Sequence, residues 1–228
     1  MTNPWDKIFS GDFKSAYEIA DRNYLQSFQD FDLRSRAICF LLLRQYDNAL
    51  ADFLSLNKIE KQTKTLSDGT YLQIGLCFYA IGENEKAVEY FKYPVINRTD
   101  MKYTIDISVP ASILFYIAIK LDRQDILKIA TKELRRLKLT VPLFLLGQLS
   151  ETELDKMFTK QTNETLRNRK QCKVEFYKAA KGLELGHIES YKRHLNNCVE
   201  LKGNYLEFEY FIAQVEYERH NSSLHEYC

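Results

Sequence analysis

The stretch Tyr71-Leu72-Gln73-Ile74-Gly75-Leu76-Cys77-Phe78-Tyr79-Ala80-Ile81-Gly82-Glu83-Asn84-Glu85-Lys86-Ala87-Val88-Glu89-Tyr90-Phe91 decides the fold. Apolar residues recur at helical spacing up to Tyr79, break at Gly82, and resume at Ala87, Val88 and Phe91. The pattern reads as a helix, a tight turn and a second, antiparallel helix. Gly75 falls inside the first helix, where glycine costs about 1 kcal/mol against alanine. So small a residue makes sense where the second helix crosses close to the first, and Ala87 offers a matching small surface.

The same template extends upstream. Leu33, Arg36, Ala37 and Phe40 take the positions of Tyr71, Ile74, Gly75 and Phe78, while Ala49 and Phe53 take those of Ala87 and Phe91. Further back, Gly11-Asp12-Phe13 and Ala16 repeat the turn and the small residue, with Trp5 and Ile8 on the preceding helix. Ala16 and Ala49 are 33 residues apart and Ala49 and Ala87 are 38 apart; the polar joint Lys58 to Asp68 absorbs the longer step. Composition agrees. Eight Gly and four Pro in 228 residues are too few for the turns of a many-stranded sheet. With 45% hydrophobic and 28% charged residues, the chain has a core to bury and is not disordered.

Spacing and pattern together resemble the tetratricopeptide repeat family, whose unit of 34 residues is a helical hairpin. The resemblance is clear over residues 71–94, extends over 30–57 and covers part of 4–24. Pro94 comes earlier than the family's terminal proline, and Arg36 replaces the usual apolar residue beside the small one. The fold so implied is all-α, a superhelical stack of antiparallel hairpins. In that family the first helix of each hairpin lines a concave groove that holds a partner polypeptide. The positions carried over are Phe31, Arg34, Ile38 and Leu41, then Leu72, Leu76 and Tyr79, and finally Lys173, Phe176 and Ala180. Ile38, Leu72 and Leu76 stand where the carboxylate-clamp members carry Lys, Asn and Arg, so a chaperone adaptor of that kind is not expected.

The second half is less regular. Pro110 is placed for the first turn of a helix that runs on through Ala111 to Leu121. After a joint at Asp122–Asp125, a second helix covers Ile126 to Leu137. Ser150 and Glu153 form a capping box that starts a short helix reaching about Phe158. Thr159 to Asn168 reads as a loop. Cys172, Phe176, Ala179 and Leu183 then lead through Gly186 into Tyr191, Leu195 and Cys198, a last hairpin with Tyr191 where the family prefers alanine. Tyr205 to His220 reads as an amphipathic capping helix. The expected organisation is about four hairpins in 1–138, the fourth degenerate, and a connecting helix, hairpin and cap in 139–228, all one solenoid.

Catalytic motifs do not emerge: the chain shows no phosphate loop, nucleophile elbow, HExxH or Gly-rich dinucleotide fingerprint. An enzyme is not expected, and neither is a cofactor. His187, His194 and Cys198 approach metal-ligand spacing, but His187 belongs to the turn and off the helix, so no metal site is assigned. The five cysteines form no CxxC pair and read as free, mostly buried thiols. No apolar run exceeds seven residues, the length of Ala37 to Leu43, well short of the roughly 20 that a membrane span needs. No basic region followed by an apolar one opens the sequence, so the expected compartment is the cytoplasm.

Charge is balanced overall, 32 Lys and Arg against 31 Asp and Glu, which argues against a general polyanion binder. It is unevenly spread. Residues 120–181 hold fifteen basic and eight acidic side chains, a net of +7, and Arg135, Arg136, Arg167, Arg169 and Lys170 form a basic flank. The expected partner is another protein, held in the groove by Phe31, Arg34, Ile38, Tyr79, Lys173 and Phe176; RNA on the basic flank is the alternative. The segments Trp5 to Phe13 and Phe144 to Glu151 also resemble a group of compact bacterial repeat proteins. Proteins of that type can serve as immunity partners that occlude a toxin domain.

Overall fold

The computed structural model describes residues 3–225. Among them the chain forms thirteen α-helices, one short 3-10 turn at Arg98–Asp100 and no β-strand. It divides into two compact units, Met1–Ile105 and Asp106–Cys228. The first holds α1 (Trp5–Ser10), α2 (Phe13–Ser27), α3 (Asp30–Leu42), α4 (Tyr46–Thr63), α5 (Asp68–Ala80) and α6 (Asn84–Ile96). The second holds α7 (Val109–Lys120), α8 (Gln124–Leu137), α9 (Thr140–Leu145), α10 (Glu151–Thr159), α11 (Glu164–Glu184), α12 (Ile188–Glu200) and α13 (Phe208–His225). Within each unit every helix packs on the next one in sequence, so consecutive pairs are the building blocks.

One backbone device closes all the pairs that begin with an odd-numbered helix. Gly11, Arg44, Gly82, Asp122, Gly147 and Gly186 each follow such a helix in the left-handed conformation, with φ between 50 and 88°. The amide after each of them donates to the carbonyl five residues back (Asp12 to Lys7, Gln45 to Phe40, Glu83 to Phe78, Arg123 to Ala118, Gln148 to Leu143, His187 to Gly182) at 2.8–2.9 Å. The left-handed residue itself donates three residues back. This double closure satisfies orphan carbonyls and reverses the chain. Glycine enters that conformation without steric cost. Arg44 and Asp122 show that the turn persists without it.

In the first unit, the small residue at 75 accommodates a ring. A β-carbon at Gly75 would lie 2.9 Å from Cδ1 of the fully buried Phe91, so α6 meets α5 through Phe91 and not through Ala87 alone. Arg36, the departure from the apolar pattern, has its own partners. Its guanidinium grips Asp52 of α4 with two bonds of 2.7 and 2.8 Å, reaches Asp21 of α2 at 2.9 Å, and lies 4.4 Å above the Tyr24 ring. Such a forked pair is geometrically matched to a carboxylate, and here it ties three helices together.

The second unit gathers around α11, which touches α7, α9, α10, α12 and α13. At the α11–α12 crossing the close approach is made by Gly182, where a β-carbon would lie 3.2 Å from the Tyr191 amide nitrogen. Tyr191 therefore needs no small side chain. Its hydroxyl instead donates to Glu216 at 2.9 Å and lies 3.0 Å from that of Tyr116.

Four boundaries differ from the sequence reading. The polar joint expected from Lys58 is helical to Thr63, because Asn57 and Glu60 turn inward and are buried. The joint after α7 is shorter, since α8 already begins at Gln124. The loop expected over 159–168 ends early: Asn163 caps α11 by accepting from the Leu166 amide at 3.0 Å, and Glu164 onwards is helical. The last helix starts at Phe208, not Tyr205, and is not amphipathic over Glu209 to Glu216, which are buried on every face. The capping box is as read: Ser150 and Glu153 exchange bonds of 2.8 and 3.3 Å. The side chain of Phe158 and the whole of Cys228 lie outside what is described.

Candidate functional site

The six groove positions meet different fates. Phe31 stands at the start of α3 and is 59% exposed. Ile38 is 7% exposed, and Tyr79 and Phe176 are fully buried, so these three side chains present no binding surface of their own. Aromatic residues at core spacing fill the interior before they line a surface. Arg34 is half-buried and its hydrogen bonds are taken up within the first unit. It donates to Glu60 at 2.8 Å, to Thr70 at 3.0 Å and to Gln73 at 3.3 Å, joining α3 to α4 and α5. Burial pushes the Glu60 carboxyl above its usual range, while Thr70, Arg34 and the Ser67 amide pull the other way.

Lys173 is likewise committed, 3.0 Å from Glu207. Burial alone would lower its pKa, but Glu209, Glu207 and Asp106 outweigh that and raise it. In the basic flank, Arg136 pairs with Glu133 at 2.9 Å and Arg169 pairs with Glu207. Arg135 and Arg167 are exposed, and Lys170 is half-buried. The flank is thus partly neutralised by its own surroundings.

The three residues near metal-ligand spacing also go separate ways. His187 precedes α12 as its N-terminal flanking residue. His194 Nδ1 lies 2.7 Å from Glu175 Oε2, which also accepts from Asn197 at 2.9 Å. Cys198 faces Cys172. Among the described residues no group of three or more His, Cys, Asp and Glu side chains could hold a metal ion. No helix among them is long and apolar enough to cross a membrane.

What the sequence reading missed lies beside Phe31. At the α2–α3 turn Leu25 is 57% and Phe28 69% exposed. Phe28 caps α2: its amide donates to Tyr24 at 2.8 Å and its φ is 53°. A left-handed residue with a side chain costs about 1–2 kcal/mol, and glycine is the usual occupant of such a cap. Here an aromatic ring takes the position and stands largely in solvent, with the edge of Tyr24 beside it at 5.7 Å between centroids. Trp5 of α1 reaches Phe31 at 6.4 Å. The signal was present in the sequence as an aromatic residue inside the polar run Gln26-Ser27-Phe28-Gln29-Asp30. Helical periodicity, by which the core was assigned, passes over such a turn residue. No protein-family model matches the chain, and no curated protein matches it.

Proposed function

We propose that this is a non-catalytic binding protein that holds one protein partner, with the α2–α3 turn of the first unit as the anchor. One observation carries the reading: Leu25, Phe28 and Phe31 hold large apolar side chains in solvent, the middle one on a backbone conformation that opposes it. Backbone strain retained at an exposed aromatic residue points to use, and buried aromatic anchors dominate binding energy in protein interfaces. The tetratricopeptide-like sequence pattern supports a polypeptide as the ligand. Its sharpest form is an immunity partner that occludes a toxin domain, supported by the resemblance of the Trp5–Phe13 and Phe144–Glu151 segments to proteins of that type.

Affinity purification followed by sizing of the complex tests this. The expected outcome is one stoichiometric protein whose affinity changes little with salt and falls at least tenfold for Phe31→Ala. RNA recovered instead, with affinity dropping steeply as salt rises, would replace the reading by nucleic-acid binding at the basic flank. A stoichiometric protein bound equally well by Phe31→Ala would move the anchor off this turn.

A further inference from the structure

Cys172 in α11 and Cys198 in α12 lie fourteen residues before and twelve after Gly186. An antiparallel hairpin therefore brings them to the same level. Both are fully buried, and their sulfur atoms are 2.8 Å apart. Non-bonded carbon atoms rest at roughly 3.5–4.0 Å, and sulfur is larger. A covalent S–S bond measures about 2.05 Å, so the pair stands roughly midway between bonding distance and ordinary contact, closer than two unbonded sulfur atoms rest. The backbone around it is regular helix on both sides, and the two sulfur atoms must approach by less than about 1 Å to bond.

We propose that Cys172 and Cys198 are a redox pair: two thiols in reducing surroundings, and one disulfide clasping α11 to α12 when a low-molecular-weight disulfide is in excess. In the first step a thiolate from one cysteine attacks a sulfur of the small disulfide, breaks its S–S bond and releases one small thiol. The second cysteine then attacks the mixed disulfide and expels the other small thiol. The protein gives up two electrons and two protons, and the small disulfide leaves as two thiols.

Burial and the adjoining Cys172 push the Cys198 thiol well up. Thiolate is the attacking form, so exchange within the closed hairpin is slow. It proceeds while the hairpin is open, during folding or when α11 and α12 part. Because α11 is the helix on which the second unit converges, a clasp there steadies that unit as a whole. This proposal stands apart from the binding surface, which lies in the first unit.

The test refolds the full chain, carrying Cys228→Ser to remove the cysteine outside the described residues, in buffers of increasing oxidised-to-reduced glutathione ratio. Free thiols are then trapped under denaturing conditions, and the protein is digested and weighed. The expected result is loss of two of four alkylatable thiols, a linked peptide joining Cys172 to Cys198, and unlinked Cys39 and Cys77. The oxidised form should melt several degrees above the reduced form, a difference that Cys198→Ala abolishes. Four free thiols at every ratio would overturn the proposal, as would a bridge between other cysteines or glutathione retained on Cys172 or Cys198. The peptide map needs no substitution at 172 or 198, so it decides the matter even if Cys198→Ala fails to fold.

Discussion

Phe91 occupies the volume that any side chain at Gly75 would need. A β-carbon there would lie 2.9, 3.0 and 3.1 Å from Cδ1, Cε1 and Cγ of the ring, and the ring has no solvent to retreat into. Gly75→Leu should therefore destabilise the protein by more than about 2 kcal/mol through overpacking, against a helix-propensity gain of about 1 kcal/mol. Denaturant unfolding of Gly75→Ala, Phe91→Leu and the double variant supplies the sharper measurement. Alanine at 75 should cost less once Phe91 is shortened, with a coupling of about 0.5 kcal/mol or more. Additive effects would mean that the ring is not what keeps residue 75 small.

Arg36 and Asp52 tie α3 to α4 in the first unit. Their side chains are 17% and 10% exposed, so cutting one leaves the other largely desolvated. Arg36→Ala should cost about 3–5 kcal/mol, the range for orphaning a buried charge. Arg36→Lys should recover only part of this, because an ammonium cannot make both Asp52 bonds and reach Asp21 as well. Urea unfolding of the three proteins orders them; a lysine variant as stable as the parent would assign the site to charge alone.

Helices and their turns were legible because they depend on local periodicity and a few turn residues. Leu33, Phe40, Phe53 and Phe91 keep core spacing, and all are buried. The site was less legible, because a position on a helix does not say who its neighbour is. Arg34 and Lys173 look available in the sequence, yet each is taken by a glutamate 26 or 34 residues away, Glu60 or Glu207. Reversing their charges would set carboxylate against carboxylate inside the fold, so Arg34→Glu with Lys173→Glu is a stability experiment and not a clean probe of binding. Phe28 escaped for the opposite reason. Its exposure follows from a left-handed backbone at the end of α2, which glycine normally announces and phenylalanine does not.

Acid should loosen the second unit through Glu175. Burial pushes this carboxyl up, but bonds from His194 and Asn197 and the charge of Lys178 reverse the effect and leave its pKa below the ordinary value. A lowered carboxylate pKa means that the unfolded chain takes up the proton first. The contribution is complete above the unfolded glutamate value of about 4.3 and is lost as pH falls through the lower folded value. Glu175→Gln should thus cost on the order of 1–3 kcal/mol at pH 7, where charged hydrogen bonds are lost. The difference from the parent should shrink toward pH 3. Fully buried Glu209 works on the other side: burial raises its pKa, so its share of stability declines as pH rises from about 4.3 through the folded value. Glu209→Gln should remove that decline. Urea midpoints across pH 3–7 separate the two, and parallel curves for Glu175→Gln and parent would remove Glu175 from the acid limb.

Phe28→Gly separates folding from binding. In the folded protein glycine accepts φ near 53° without the penalty that phenylalanine meets there, and it keeps the amide bond to Tyr24. Against that stand the greater freedom of glycine in the unfolded chain and the loss of the edge contact with the Tyr24 ring, worth about 0.5 kcal/mol or more. The sum should lie between neutral and about 1 kcal/mol of added stability. Partner affinity should move the other way, because removing an aromatic anchor at an interface typically costs about 2 kcal/mol or more, some thirtyfold in Kd. Thermal unfolding and titration calorimetry on one preparation measure both. A variant at least as stable as the parent that binds more weakly would mean that the ring is held in solvent for the partner and not for the fold. A less stable variant with unchanged affinity would return Phe28 to the architecture of the α2–α3 turn.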